Sequence, residues 1–223
     1  KQKQQNNWSF AKGTKAWSID FVVIVDQLGT KIYLLTVSDC RSRFLYDASV
    51  FMNTSTEHVT DRLYELFLMH GLPDIIKADN GPEFRIKCAK QLADLGVYLM
   101  NSPTYYAKFN GSHERIHKKL RAYIEEFSKH QCLSILIHQI DALCEEYNYE
   151  IPHGKLGFIT PYEFLKNPEL DLPNPGQIIT PYEKEGEIRF KFTGRDGQAS
   201  RISLEKIEAD KTFSLSIDGP VNY

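Results

Sequence analysis

The chain has 223 residues, 42% hydrophobic and 12% aromatic, with a formal net charge of −2. That apolar share excludes a disordered or low-complexity chain and allows one core of about 150 residues with a small appendage. No apolar run approaches the roughly 20 residues of a membrane span. The near-neutral charge also excludes a surface that is positive throughout, so any nucleic-acid contact has to come from local charge.

The opening Lys-Gln-Lys-Gln-Gln-Asn-Asn is polar and reads, with the rest of residues 1–13, as a linker from an upstream domain that has been removed. With no signal peptide at its start, the chain is expected to be intracellular, in the cytoplasm or nucleoid if bacterial. Apolar β-branched and aromatic residues over 17–26 and 31–38 flank Gln27-Leu28-Gly29-Thr30, which predicts a strand, a turn and a second strand. A third strand is expected over 44–51. Thr54-Ser55-Thr56-Glu57 supplies helix-starting hydroxyls, with Glu57 three residues after Thr54 as a capping box, and Gly71 and Pro73 stop that helix. A short buried strand over 75–78, a helix over 86–95 ended by Gly96, and a strand over 97–101 follow.

Beyond a loop over 102–111, Ile116, Leu120, Tyr123, Ile124 and Phe127 form one stripe of a long amphipathic helix. Another helix is expected over 134–149. Antiparallel strands followed by alternating helix and strand argue for a mixed α/β sheet with helices on its faces, over residues 14–168. Pro168, Pro173 and Pro175 mark a linker over 169–178. Residues 179–223 then alternate apolar and polar around Gly194-Arg195-Asp196-Gly197, which predicts a small all-β, barrel-like domain. Four cysteines, at 40, 88, 132 and 144, have neither disulfide nor zinc spacing and read as reduced thiols.

Three carboxylates carry the chemical argument. Asp20 lies in the middle of a strand that should be central, where an ionised carboxylate is costly unless paired with a cation or well hydrogen-bonded. Asp79 leaves the carboxyl end of a strand, where open α/β sheets place ligands. Glu114 begins the amphipathic helix and shares with His117, Lys118, Arg121 and Glu125 the face opposite the apolar stripe. Three acidic residues are the minimum that can hold two divalent ions, one bridging and one further carboxylate for each, and oxygen ligands suit Mg²⁺. Taken singly, each has an ordinary explanation: a hydrogen-bonded strand Asp, an Asp-Asn-Gly turn and a helix-dipole Glu.

The joint pattern is more specific. Trp17-x-x-Asp20, Tyr33-Leu34-Leu35-Thr36-Val37-x-Asp39-x-x-Ser42-Arg43, His70-Gly71-Leu72-Pro73, Asp79-Asn80-Gly81-Pro82-Glu83-Phe84 and Asn110-Gly111-x-x-Glu114-Arg115 together resemble the retroviral-integrase-type core of insertion-sequence transposases. The order and spacing agree over residues 14–166. Tyr147-Asn148-Tyr149-x-x-Pro152-His153-x-x-Leu156-Gly157-x-x-Thr160-Pro161-Tyr162-Glu163 is similar to the segment that closes bacterial cores of this kind.

The resemblance implies an RNase H-like fold, with Asp20, Asp79 and Glu114 as catalytic residues and as ligands of two Mg²⁺ or Mn²⁺ ions. It implies cleavage of DNA 3′ ends and their transfer into target DNA, by homo-multimers on double-stranded element ends and target DNA. Residues 101–132 carry six Lys or Arg against three Asp or Glu, which favours DNA contacts there. Lys118 and Arg121 on the helix, and Tyr105, Tyr106, Lys108 and Asn110 in the preceding loop, are the candidates. His113 and His117 read as surface histidines, Asp26, Asp39 and Asp47 as structural, and Glu83 as support for the turn after Asp79. Arg189, Lys191, Arg195 and Arg201 could make the tail a DNA-binding accessory, although its acidic excess counts against this. The alternatives are a nuclease that only hydrolyses, and a non-catalytic DNA-binding protein of transposase descent.

Overall fold

A computed structural model describes residues 8–25, 29–101, 117–118, 120–122, 133–184, 187–193, 199–201, 204–206 and 213–215. Strand β1 is Trp8–Phe10, β2 Ala16–Val25, β3 Lys31–Asp39, β4 Leu45–Phe51, β5 Ile75–Ala78 and β6 Tyr98–Asn101. Later come β7 (Gln177–Lys184), β8 (Glu187–Thr193), β9 (Ala199–Arg201), β10 (Leu204–Lys206) and β11 (Phe213–Leu215). The main sheet runs β10-β11-β6-β5-β2-β3-β4. Strands β2, β3 and β4 are antiparallel, while β5 lies parallel to β2 and β6 parallel to β5. Strand β2 is therefore central.

Side chains alternate across this sheet and divide it into two faces. Trp17, Ile19, Leu35, Val37, Ile76 and Ala78 point to one face and pack on Val59, Leu63, Leu66 and Phe67 of helix α1 (Thr56–His70) and on Cys88, Ala89 and Leu92 of helix α2 (Ile86–Asp94). The capping box expected from Thr54 does not form. Ser55 is the cap, its hydroxyl accepting the His58 N–H, because Thr56 already belongs to the helix. Gly71 ends α1 at φ 80°, a left-handed conformation that glycine adopts without a Cβ penalty.

Two separate apolar clusters cover the other face. At one end Val22, Ile24, Ile32, Leu34 and Leu45 meet Leu120 and helix α3 (Leu133–Glu145) through Leu136, Ile140 and Leu143. At the other end Ala16, Ile75 and Met100 meet Phe10, Ile179 and Phe190. Helix α3 continues through a π turn, Glu146–Glu150, and a last helix, α4 (Pro161–Lys166), carries a capping box between Thr160 and Glu163 that the sequence reading passed over.

Two expectations about domain limits change. The supposed linker contains β1, which pairs in parallel with β7, Trp8 opposite Gln177 and Phe10 opposite Ile179. The described C-terminal strands are shared between two sheets: β7, β8 and β9 join β1 in a four-stranded sheet, while β11 pairs with β6 and β10 with β11. Among the described residues they do not close into a barrel of their own. Burial of Phe10, Ile179 and Phe190 against the main sheet accounts for this, since an alternating segment buries its apolar side on whatever apolar face is available.

Asp47 is structural, as expected. Only 8% exposed, it takes two bonds from Arg62 of α1, Nε to Oδ2 at 3.1 Å and Nη2 to Oδ1 at 2.7 Å, and so ties β4 to the helix. Arg62→Ala leaves that carboxylate with the Ser49 hydroxyl as its remaining partner among the described residues. The expected cost is roughly 2–3 kcal/mol in urea unfolding, below the full value for a buried pair because Arg62 is partly exposed. A loss under about 0.5 kcal/mol would show that water replaces the guanidinium.

Candidate active site

Between the two apolar clusters on the second face of the sheet runs a strip of polar side chains. Ser18 and Ser38 face each other across β2 and β3, as do Asp20 and Thr36, and Lys77 of β5 stands beside Ser18. Ser18, Thr36, Ser38 and Lys77 are all at most 3% exposed. Buried polar groups in such number have a cost that an apolar core would avoid, so their concentration marks a site rather than a support.

Asp20 is the carboxylate of this strip, with its side chain 20% exposed. Its Oδ1 accepts the Phe21 N–H at 2.8 Å. Burial, and then the charge of Asp79, push its pKa up to about 7, against the opposing influence of the Phe21 bond, Lys77 and Arg121. Two carboxylates at neighbouring strands thus repel each other.

Asp79 follows β5 directly and is held at both of its oxygen types. Its Oδ1 accepts the Gly81 N–H at 2.8 Å and its main-chain oxygen accepts the Asn101 amide at 2.8 Å. Gly81 matters here for the room it leaves two carboxylates, not for conformation. A Cβ on it would lie 2.9 Å from Asp79 Oδ1 and 2.8 Å from Glu83 Oε1, so the Asp79 and Glu83 carboxylates both close on this glycine, in keeping with Glu83 as part of the turn.

His117 departs from expectation. It is 6% exposed, with Nε2 2.9 Å from Thr36 Oγ1 and Nδ1 3.7 Å from Asp20 Oδ2. Burial, with a smaller effect of Arg121, lowers its pKa to about 4, so the ring is neutral at physiological pH. It is not a surface histidine, because the polar strip gives it partners that a helical wheel cannot reveal. Lys118 and Arg121 of the same helical turn are exposed, as a phosphate contact requires, and Leu120 is buried as the apolar stripe predicts.

Lys77 was not singled out in the sequence. Its Nζ lies 4.9 Å from the centre of the Trp8 ring, and burial lowers its pKa to about 8. Nor were Asn101 and Thr36, for which a strand-end Asn and a Thr in an apolar strand give little signal. Asp39 is structural: its Oδ1 accepts the N–H groups of Arg41 and Ser42 and the Ser42 hydroxyl, closing the turn in which Arg43 takes φ 67°. Glu114, Tyr105, Tyr106, Lys108, Asn110, His113, Asp26 and Arg195 lie outside the described residues. So do Ile116, Tyr123, Ile124 and Phe127 of the apolar stripe.

Among the described residues no three His, Cys, Asp or Glu side chains gather as a metal group. Asp20 and Asp79 nevertheless fit a hard divalent cation. Both are oxygen donors, and their mutual repulsion is the kind of strain such a cation relieves.

Two family models described as integrase core domain match this chain, one over residues 12–107 and the other over 95–161. Residues 12–161 belong to the integrase core family. A relative from Burkholderia multivorans, an uncharacterized 31.7 kDa protein of insertion element IS407, is 28% identical over 161 residues. The match covers 67% of this chain but 54% of that relative, so the chain spans about half of its length. The Gag-Pol polyprotein of avian reticuloendotheliosis virus is 28% identical over 109 residues, 48% of this chain and 10% of the polyprotein.

Solved structures share the fold of this integrase core. The HTLV-2 integrase catalytic core domain, in complex with magnesium, aligns with a TM-score of 0.54 at 14% identity, over 69% of this chain and 97% of that one. A chain of a simian T-cell lymphotropic virus intasome aligns with a TM-score of 0.62 at 14% identity, over 97% and 84%. The mixed sheet is therefore RNase H-like, with the polar strip at its centre. No helix among the described residues is long and apolar enough to cross a membrane.

Proposed function

We propose that this chain is the catalytic part of a DNA transposase or integrase, a polynucleotidyl transferase that cleaves DNA 3′ ends and joins them to target DNA. The placement of Asp20 beside Asp79 at the centre of an integrase-core sheet carries this reading, because a divalent cation relieves the repulsion of two neighbouring carboxylates. Asp20, Asp79 and Glu114 are its metal ligands. Bound there, Mg²⁺ or Mn²⁺ would activate a water or 3′-hydroxyl and offset charge at the reacting phosphate.

The chain's own groups then have distinct tasks. The Gly81 N–H and the Asn101 amide hold Asp79 at its strand end. Lys118 and Arg121 take backbone phosphates, and Tyr105, Tyr106, Lys108 and Asn110 extend that contact through the preceding loop. In cleavage a water oxygen attacks phosphorus in line and the bond to the 3′ oxygen breaks, leaving a 3′-hydroxyl. In joining, that 3′-hydroxyl oxygen attacks a target phosphorus, the target's own bond from phosphorus to its 3′ oxygen breaks, and the target 3′-hydroxyl leaves. The relative from an insertion element, the magnesium of the HTLV-2 domain and the intasome of the simian virus all accord with double-stranded DNA, a divalent ion and a homo-multimer as partners.

The deciding experiment is Mg²⁺- or Mn²⁺-dependent joining of a labelled duplex end to plasmid DNA, with Asp79→Asn beside the parent. Joined products that disappear in the variant are expected. Cleavage without joining would favour a hydrolytic nuclease, and metal-independent DNA binding without chemistry would favour a DNA-binding protein. Gly81→Ala should lower joining about tenfold or more by displacing the Asp79 carboxylate. Its thermal midpoint should move little, since Gly81 has φ −56° and Ala is at ease there. Unchanged joining in this variant would mean that the crowded turn has no part in chemistry.

A further inference from the structure

The Asp20 carboxylate is held by different kinds of group on its two oxygens. Oδ1 has the Phe21 N–H, which belongs to the same strand and is present whatever the helix does. Oδ2 faces Nδ1 of His117 at 3.7 Å, longer than a hydrogen bond. Because the Thr36 hydroxyl donates to the Asp20 carbonyl, the neutral ring donates through Nε2 and turns the lone pair of Nδ1 towards Oδ2. It therefore limits how the carboxylate turns by contact and repulsion rather than by a bond. The ring is itself fixed, because Nε2 lies 2.9 Å from Thr36 Oγ1, and Thr36 sits opposite Asp20 in the β2–β3 register with its hydroxyl 3.0 Å from the Asp20 main-chain oxygen. Two hydrogen bonds and one close contact thus connect the Asp20 backbone, the Thr36 hydroxyl, the His117 ring and the Asp20 side chain, and tie His117 to the central strand.

We infer that His117 is a positioning residue for metal binding, its Nδ1 edge setting the Asp20 carboxylate in the orientation that a divalent cation requires. The inference rests on the metal-site reading above and adds to it a residue that bonds neither metal nor DNA. A group that orients a metal ligand differs from one that merely fills space. Its loss weakens the ion even where packing is restored; hydrogen-bonded outer partners are worth about 10- to 100-fold in metal affinity, and a contact without a bond belongs at the lower end of that range.

The ring offers two chemically separable edges. Asn at 117 places an amide group where Nδ1 stands and abandons Thr36, whereas Gln reaches the Nε2 position and abandons Asp20. Titration calorimetry of Mn²⁺ into the parent, His117→Asn, His117→Gln and His117→Leu, without DNA, separates these roles, with thermal melting in EDTA to confirm that each variant is folded. The expected result is binding weakened about tenfold in the Gln and Leu variants and within about threefold of the parent in the Asn variant. Gln binding as tightly as the parent while Asn is weakened would overturn the inference in favour of an anchor to Thr36. Equal affinity in all four would overturn it too. A parent that binds no Mn²⁺ would overturn the metal-site reading itself, and this inference with it.

Discussion

Asp20→Asn should abolish DNA joining and, without metal, make the protein more stable. The substitution removes one ligand of a cation that contributes several kcal/mol of transition-state charge stabilisation, so a loss of about 10³-fold or more in rate is expected. The stability gain follows from burial and the neighbouring Asp79 charge, which raise the Asp20 pKa from 3.8 to about 7. Between those values the unfolded chain has released a proton that the folded chain still holds. Stability therefore falls as pH rises through that window, and the loss is complete above about pH 7. Asparagine does not titrate, so the variant escapes the loss.

Below pH 4 the two proteins should melt alike. At pH 8 in EDTA the variant should be favoured by roughly 1–3 kcal/mol, less than the full shift implies because the side chain keeps some water. Saturating Mn²⁺ should then raise the parent's melting temperature well above its value in EDTA, with a much smaller effect on the variant. Thermal melts across pH 4–8 for both proteins are the measurement. Parallel curves would mean that Asp20 is an ordinary hydrogen-bonded strand residue.

Asn148→Ala should be among the more damaging changes outside the site. Asn148 is 4% exposed in the π turn, and its amide acts as a strand would, Oδ1 accepting the Leu45 N–H at 2.8 Å and Nδ2 donating to the Leu45 carbonyl at 2.9 Å. Leu45 begins β4, which is an edge strand of the main sheet. Its outward backbone groups are thereby satisfied by a side chain about a hundred residues later. Alanine leaves both buried and unpaired, at about 1–3 kcal/mol each, so a total near 2–4 kcal/mol is expected. At about 2–4 °C per kcal/mol for a chain of this size, the melting temperature should drop by roughly 4–16 °C. A drop under about 2 °C would show that a water takes over the amide's bonds.

Asn148 also shows how far a motif can be followed without a structure. Its place in the Tyr-Asn-Tyr segment was visible, but the bond to Leu45 depends on a partner that no local pattern names. The three antiparallel strands, α1, β5, α2 and β6 were legible because alternation, helical period and Gly or Pro stops act between near neighbours. Asp20 and Asp79 stood out for the same reason, one an acid in an apolar strand and the other at a strand's end. Strand β1 was hidden, since Trp8-Ser9-Phe10 is too short to display a period and its partner β7 lies far along the chain.

His117 was misjudged for a physical reason of wider use. A helical wheel assigns its polar side to water, yet this helix meets a sheet face where a polar strip separates two apolar clusters, so a polar residue is buried and satisfied there. The same strip conceals Lys77 and gives Thr36 a purpose. By itself the sequence determined the three antiparallel strands, α1, β5, α2 and β6 and which acids stand at a strand's centre and end, because those follow from short-range sterics and alternation. Only the tertiary structure decided which faces meet, that the C-terminal strands divide between two sheets, and which neutral side chains hold Asp20, because long-range burial selects partners that no local rule specifies.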